Sequence, residues 1–184
     1  MENIVVWQGI SDKTLEVLKW HYVKNNIEVQ SVINGNAEGI SVLINYKVVI
    51  NAAWEISYVE IRSVLGEEET FNTLKKEDGK WFKNNELSPE FSDCTDIDIT
   101  LTPFTNSLPV NRLSLKMNEE KLINVVYVNI MEKEIAPAQQ RYKKLSDTTY
   151  RFQTVPNDFE AIITFDDTGF VTDYPGLFQR EEIH

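Results

Sequence analysis

Two aspartates separated by a single residue, with an arginine further along, are the side chains of this chain best placed to do chemistry. Asp96-Ile97-Asp98 opens a stretch that runs through Thr102-Pro103-Phe104-Thr105-Asn106 to Arg112 and Leu113. In extended backbone the two carboxylates share a face, with Cα atoms roughly 6.5–7 Å apart. Like charges that close need relief from a cation, hydrogen bonds or water. Arg112 is the local candidate, because its planar fork can hold both oxygens of one carboxylate. Such a pair could serve as general acid and base, or hold a hard cation such as calcium. It could equally cap a turn and anchor Arg112 in a sheet-edge network. The segment Thr102 to Asn106 has the same double reading. Pro103 fixes φ and the Thr and Asn side chains bond to nearby backbone, which specifies a turn. The alternative is a polar lip beside an apolar cavity, with Asn106 and Arg112 holding a sugar or head group.

Other reactive groups are sparse. Cys94 is the sole cysteine and lies between Asp93 and Thr95; neighbouring carboxylate charge disfavours its thiolate, and no internal disulfide can form. His21 sits in a strand pattern and His184 is the last residue, so no zinc site is expected. A Gly-rich phosphate loop and a nucleophile elbow are both missing, so no cofactor is expected. The formal net charge of -11 argues against nucleic acid or an anionic membrane surface as partner. Glu67-Glu68-Glu69 and Glu181-Glu182 read as solvated turns or ends. Met1 to Trp7 shows no readable signal peptide, and no apolar run reaches the roughly 20 residues of a membrane-spanning helix. The expectation is a cytoplasmic protein.

The elements that must position these groups are strands. Ile40, Val42, Ile44, Tyr46, Val48 and Ile50 fall on one face at period two, as do Ile27, Val29 and Ile33. Leu113, Leu115 and Met117, and later Phe159, Ala161, Ile163 and Phe165, alternate likewise. Leu122 to Val128 is apolar on both faces and predicts a central, doubly covered strand. Leu15 to Val23 changes phase midway, which a β-bulge near Val17-Leu18 would explain. Asp78-Gly79, Asn118-Glu119-Glu120 and Asp167-Thr168-Gly169 read as turns. Glu134 to Leu145 is ambiguous between a short helix after Pro137 and an extended edge. The pattern predicts one mainly all-β domain over residues 1–184, an antiparallel sheet that curls or closes, with little helix. Aromatics such as Trp54, Tyr127 and Tyr142 either fill its core or line a cavity.

The stretch Asp96-Ile97-Asp98 followed by Thr102-Pro103-Phe104-Thr105-Asn106-Ser107-Leu108-Pro109-Val110-Asn111-Arg112-Leu113 resembles the signature of a bacterial glycolipid-binding family, long grouped as a domain of unknown function. Trp7 with Gly9, Tyr46, Trp54, Asp78-Gly79-x-Trp81, Tyr127, Gln140-x-Tyr142, Asp166 with Gly169, and Tyr174 extend the resemblance over nearly the whole chain. It implies a spiral β-roll, a many-stranded antiparallel sheet coiled around an apolar interior, similar in shape to bacterial lipoprotein carriers. The function it implies is non-enzymatic binding of a hydrophobic or amphipathic small molecule, a glycolipid by the family's description. Asp98, Asn106 and Arg112 would stand at the polar mouth, with Asp96, Trp54, Tyr127 and Tyr142 as further candidates. One departure is visible: the family tends to carry two consecutive arginines where this chain has Asn111-Arg112. Competing expectations are a hydrolase or isomerase that uses Asp96 and Asp98 on a sugar-containing substrate, and a scaffold that binds protein through a sheet edge or aromatic patch.

Overall fold

The computed structural model describes residues 3–182, so Met1, Glu2, Ile183 and His184 lie outside the described residues. Its first half is a run of antiparallel hairpins: β1 (Asn3–Gly9), β2 (Lys13–Val23), β3 (Asn26–Ala37), β4 (Ile40–Asn51), β5 (Ile56–Leu65), β6 (Glu68–Glu77), β7 (Lys80–Lys83) and β8 (Glu86–Leu87). A single 3-10 turn, Pro89–Phe91, leads to β9 (Asp96–Ile99) and a helix, α1 (Phe104–Leu113). Then follow β10 (Glu120–Asn129), β11 (Glu134–Lys144), β12 (Thr149–Val155), β13 (Glu160–Phe165), β14 (Val171–Tyr174) and β15 (Phe178–Glu181).

All fifteen strands form one sheet in the order β8-β7-β6-β5-β4-β3-β2-β1-β15-β14-β13-β12-β11-β10-β9. Every pairing is antiparallel except β9 with β10, which the α1 crossover makes parallel. The chain therefore starts mid-sheet, runs out to one edge at β8 and restarts at the opposite edge at β9. Fourteen spacings of about 4.8 Å would put those edges about 67 Å apart in a flat sheet. The nine steps from Leu87 to Asp96 reach at most about 32 Å. The sheet must coil. Side chains then fasten the coil where its ends approach: Trp81 Nε1 and Lys76 Nζ both donate to the Cys94 carbonyl, at 3.0 and 3.1 Å. The sheet stays open and does not close into a barrel, since β8 and β9 are not paired to each other.

Two apolar cores result. The larger lies inside β1–β7 and gathers around Phe170, whose ring stacks on Trp20 and packs against Trp7, Trp54 and Phe104 at centroid distances of 5.4 to 6.5 Å. The smaller, with Tyr142, Tyr150, Phe152 and Phe165, belongs to the second half. β10 serves both: Val126 and Val128 face the larger, Ile123 and Val125 the smaller. It is doubly covered as its sequence predicts, but it stands next to the sheet edge and not at the centre. Among the described residues no helix is long and apolar enough to cross a membrane.

Four local expectations change. The turn expected over Thr102 to Asn106 instead leads into a helix, Phe104–Leu113, in which Phe104 to Val110 are all buried. Glu134–Lys144 is a strand, with Pro137 tolerated opposite Val126. Leu113, Leu115 and Met117 form no strand, because Leu113 ends α1 and Ser114 turns left-handed at φ 47. The phase change in β2 is no bulge, since its register with β1 and β3 is continuous. Instead Thr14, Glu16 and Leu18 point inward while Leu15 is exposed. Truncating the hub of the larger core tests how much the coil depends on it. Phe170→Ala is expected to cost about 3–5 kcal/mol, read as a lower urea midpoint; a loss under about 1 kcal/mol would show that the ring is dispensable.

Candidate functional site

β9 sets the site by its alternation. Ile97 and Ile99 face the larger core, and Asp96 and Asp98 share the opposite face. Parallel pairing puts Val125 beside Asp96 and Tyr127 beside Asp98. The two carboxylates nevertheless meet different surroundings. Asp96 is 1% exposed and is gripped by Arg112, with Nε to Oδ1 at 3.0 Å and an outer guanidinium nitrogen to Oδ2 at 2.6 Å. Thr95 Oγ1 donates to the same carboxylate at 2.8 Å. This bidentate ion pair pins the last turn of α1 to the start of β9.

Asp98 is bonded only by uncharged groups. Thr105 Oγ1 donates to Oδ1 at 3.0 Å and Gln140 Nε2 to Oδ2 at 2.5 Å. Asn106 Nδ2 donates to the Tyr142 hydroxyl at 2.9 Å, and that hydroxyl points on to Gln140 Oε1 at 3.5 Å. A relay of donors thus runs from Asn106 through Tyr142 and Gln140 and ends on Asp98. Burial raises the Asp98 pKa above its ordinary value, and the bonds from Thr105 and Gln140 offset this in part. The Tyr142 phenol is pushed up by burial and then by the Asp98 charge.

Above Asp98 opens a cleft of ≈ 490 Å³, a size typical of small-molecule sites. Asp98 of β9, Asn106 of α1, and Leu101 and Thr102 of the link between them contribute to its lining. Tyr127, Phe152, Phe159, Tyr174 and Phe178 supply aromatic walls, with Phe152 and Phe178 set edge-on to Tyr174 at 6.3 and 6.0 Å. Asp12, Glu38, Glu132 and Asp158 add carboxylates from the turns. Among the described residues, none that lines it is Lys, Arg or His. Leu101 holds φ at 67°, a left-handed conformation that costs a bulky side chain about 1–3 kcal/mol and marks the corner where β9 turns into α1.

Of the sequence candidates, Asp98, Asn106 and Tyr127 line the cleft, and Tyr142 backs Asn106 from below. Asp96 and Arg112 hold each other further along β9 and do not line it. Trp54 does not line the cleft but packs against the larger core, edge-on to Phe170 at 6.1 Å. Asn111 donates to the carbonyls of Ser107 and Gly169, at 2.9 and 3.3 Å, and so ties α1 to the turn before β14. Among the described residues no cluster of His, Cys, Asp and Glu could hold a metal ion. Sequence reasoning named Tyr127 but missed Phe152, Phe159, Tyr174 and Phe178 as walls, because alternation gives a strand's buried face without saying whether that face meets packing or open space.

It also missed Glu16. Its carboxylate is 2% exposed inside the larger core. Ser31, Tyr46 and Thr102 hydroxyls donate to its Oε1 at 2.7, 2.5 and 3.0 Å, while Oε2 has no hydrogen-bond partner among the described residues. Burial pushes its pKa up to about 7, against the pull of those three bonds. The phase break in β2 was the available signal: two inward polar residues displaced the apolar alternation.

The family described as "Putative glycolipid-binding" matches residues 4–180. A crystal structure of a DUF1089 family protein from Pseudomonas aeruginosa superposes with a TM-score of 0.79 at 27% identity, over 90% of this chain and 92% of that one. No curated protein matches the chain significantly.

Two measurements test the electrostatics of this region. Arg112→Ala leaves the Asp96 carboxylate buried without its cation and is expected to cost about 3–5 kcal/mol. Adding Asp96→Ala should restore much of that loss, and a double variant no more stable than the single one would show that the pair is not the clamp. Glu16 titrates near 4.5 when unfolded and about 7 when folded, so the native state holds the proton more tightly. Its contribution is complete below pH 4.5 and is lost as pH rises through 7, a change of about 3 kcal/mol. Glu16→Gln, which resembles the protonated acid, should match the parent near pH 4 and exceed it in stability at pH 8. Parallel stability curves for the two proteins would overturn the assignment.

Proposed function

Since the chain belongs to this glycolipid-binding family, we propose that it binds an amphipathic small molecule, with a sugar-bearing head in the cleft over Asp98. The observation that carries the reading is the cleft's lining: aromatic rings on its walls and hydrogen-bonding groups anchored in α1 and β9 beneath them. Aromatic rings accept both the flat apolar face of a sugar and an acyl chain, while a few fixed polar groups set orientation. Asn106 and Asp98 are held in place by the relay through Tyr142 and Gln140, so they meet a ligand without first having to be ordered. The larger core is filled by Trp7, Phe104, Phe170 and their neighbours, which supports the cleft rather than that core as the seat of the ligand.

A carboxylate dyad mechanism finds no geometric support, because Asp96 is committed to Arg112 and only Asp98 lines the cleft. The reading of a binding protein is tested by native mass spectrometry of the purified chain and by calorimetric titration with octyl glucoside. A retained or titratable amphiphile is expected. Phe159 is 38% exposed, so Phe159→Ala should keep the fold and weaken that binding about tenfold. No retained ligand together with no heat of binding at millimolar glycoside would overturn the proposal.

A further inference from the structure

The two aspartates of β9 differ in one respect that bears on the ligand's chemistry. Asp96 has its counter-ion inside the protein, the Arg112 guanidinium. Asp98, two residues on, receives hydrogen bonds from Thr105 and Gln140, which are both uncharged. Asp98 lines the cleft, and among the described residues no lysine, arginine or histidine does so. Four further carboxylates, those of Asp12, Glu38, Glu132 and Asp158, line the same cleft. An anionic head group would meet only like charge there, with no guanidinium or ammonium to receive it. A positive head group would find a carboxylate at the base and aromatic rings on the walls, whose negative π faces attract cations.

We infer that the head group is cationic: the cleft takes an amphiphile whose head carries an ammonium group, as an amino sugar does, seated against Asp98. The inference rests on the amphiphile-binding reading above and narrows it to one charge class. Asp98 then plays toward the ligand the part that Asp96 plays toward Arg112. The relay from Asn106 through Tyr142 and Gln140 points its donors at Asp98 and so favours the ionised carboxylate that a cation needs. The burial that raises its pKa is the cost that an arriving cation would offset.

Three octyl glycosides that differ only in charge test this on the intact chain: the 2-amino-2-deoxyglucoside, the glucoside and the glucuronide. The expected order of affinity is amino over neutral over acid, with the amino form favoured about tenfold or more and that margin shrinking as salt rises. In Asp98→Asn the ratio between amino and neutral forms should fall toward one. If that variant does not fold, the ranking and its salt dependence in the unaltered protein decide the matter. Equal affinity for the amino and neutral forms, or tighter binding of the acid, would overturn the charge assignment and leave the amphiphile reading standing. A preference that survives in Asp98→Asn would overturn the role of Asp98. Failure of all three glycosides to bind would instead sink the amphiphile reading itself.

Discussion

The short link between β8 and β9 governs this structure. Two strands at opposite ends of a fifteen-stranded sheet are joined by a segment too short to cross the sheet's flat width. Right-handed strand twist supplies curvature, and the link turns that curvature into a requirement. Once the sheet coils, its interior has a fixed breadth, and the segment after β9 must go into it. β9 pairs with β10 along one edge, and the segment after it folds back over the strand, so that the Ile99 amide reaches Thr105 Oγ1 at 3.3 Å. That segment becomes α1. A helix buried on all sides brings polar groups into the core, and each needs a partner. Thr105 finds Asp98, Asn106 finds Tyr142, and Arg112 finds Asp96. The polar features of the cleft follow from satisfying that helix.

The division between Asp96 and Asp98 shows how position along one strand sets electrostatic character. Both lie on the same face, two residues apart. Asp96 stands opposite the last turn of α1, where a cation also meets the negative end of the helix dipole. Arg112 there neutralises the carboxylate and the helix end together. Asp98 stands opposite the first turn, where no basic side chain occurs and the partners are a hydroxyl and an amide. The result is one closed ion pair and one carboxylate left to face the cleft. A buried ion pair of this kind contributes little net stability, because desolvation offsets attraction. What it does supply is register: it fixes α1 along β9, and with it the placement of Thr105 and Asn106.

Much of this was legible from the sequence where one physical rule dominated. The alternation from Ile40 to Ile50 predicts β4 because that strand has one apolar and one solvated face. Arg112 as partner to the aspartates follows from charge and proximity alone. α1 was not legible, since Thr105, Asn106 and Ser107 are buried beside Phe104 and Leu108 and leave no apolar stripe. Pro109 inside it also reads as a breaker. Packing inside the roll, and not local propensity, makes this segment helical. Glu16 failed for the converse reason: a carboxyl in a core inverts the parity on which strand reading depends. The aromatic walls failed because Phe152, Tyr174 and Phe178 come from three strands that share a surface only after the sheet has coiled.

The two halves of the roll divide the work unequally, and the chain path explains how. β1–β7 enclose a core packed around Phe170, in which Trp7, Trp20 and Trp54 leave little freedom to adjust. The second half has the smaller core, and where its aromatic side chains outrun the helix they cover, they border open space. The first half reaches that space only through turn residues, Asp12 and Glu38, and through Thr102, which lines the cleft while donating to Glu16. Thr102 Oγ1 also accepts the Phe104 amide at 3.1 Å, so one side chain joins the buried carboxyl, the start of α1 and the cleft. The packed first half thereby holds one end of α1, the Arg112–Asp96 pair holds the other, and the cleft's polar groups lie between these two anchors. Under the amphiphile-binding reading, such preorganisation leaves little order to be imposed when a ligand arrives.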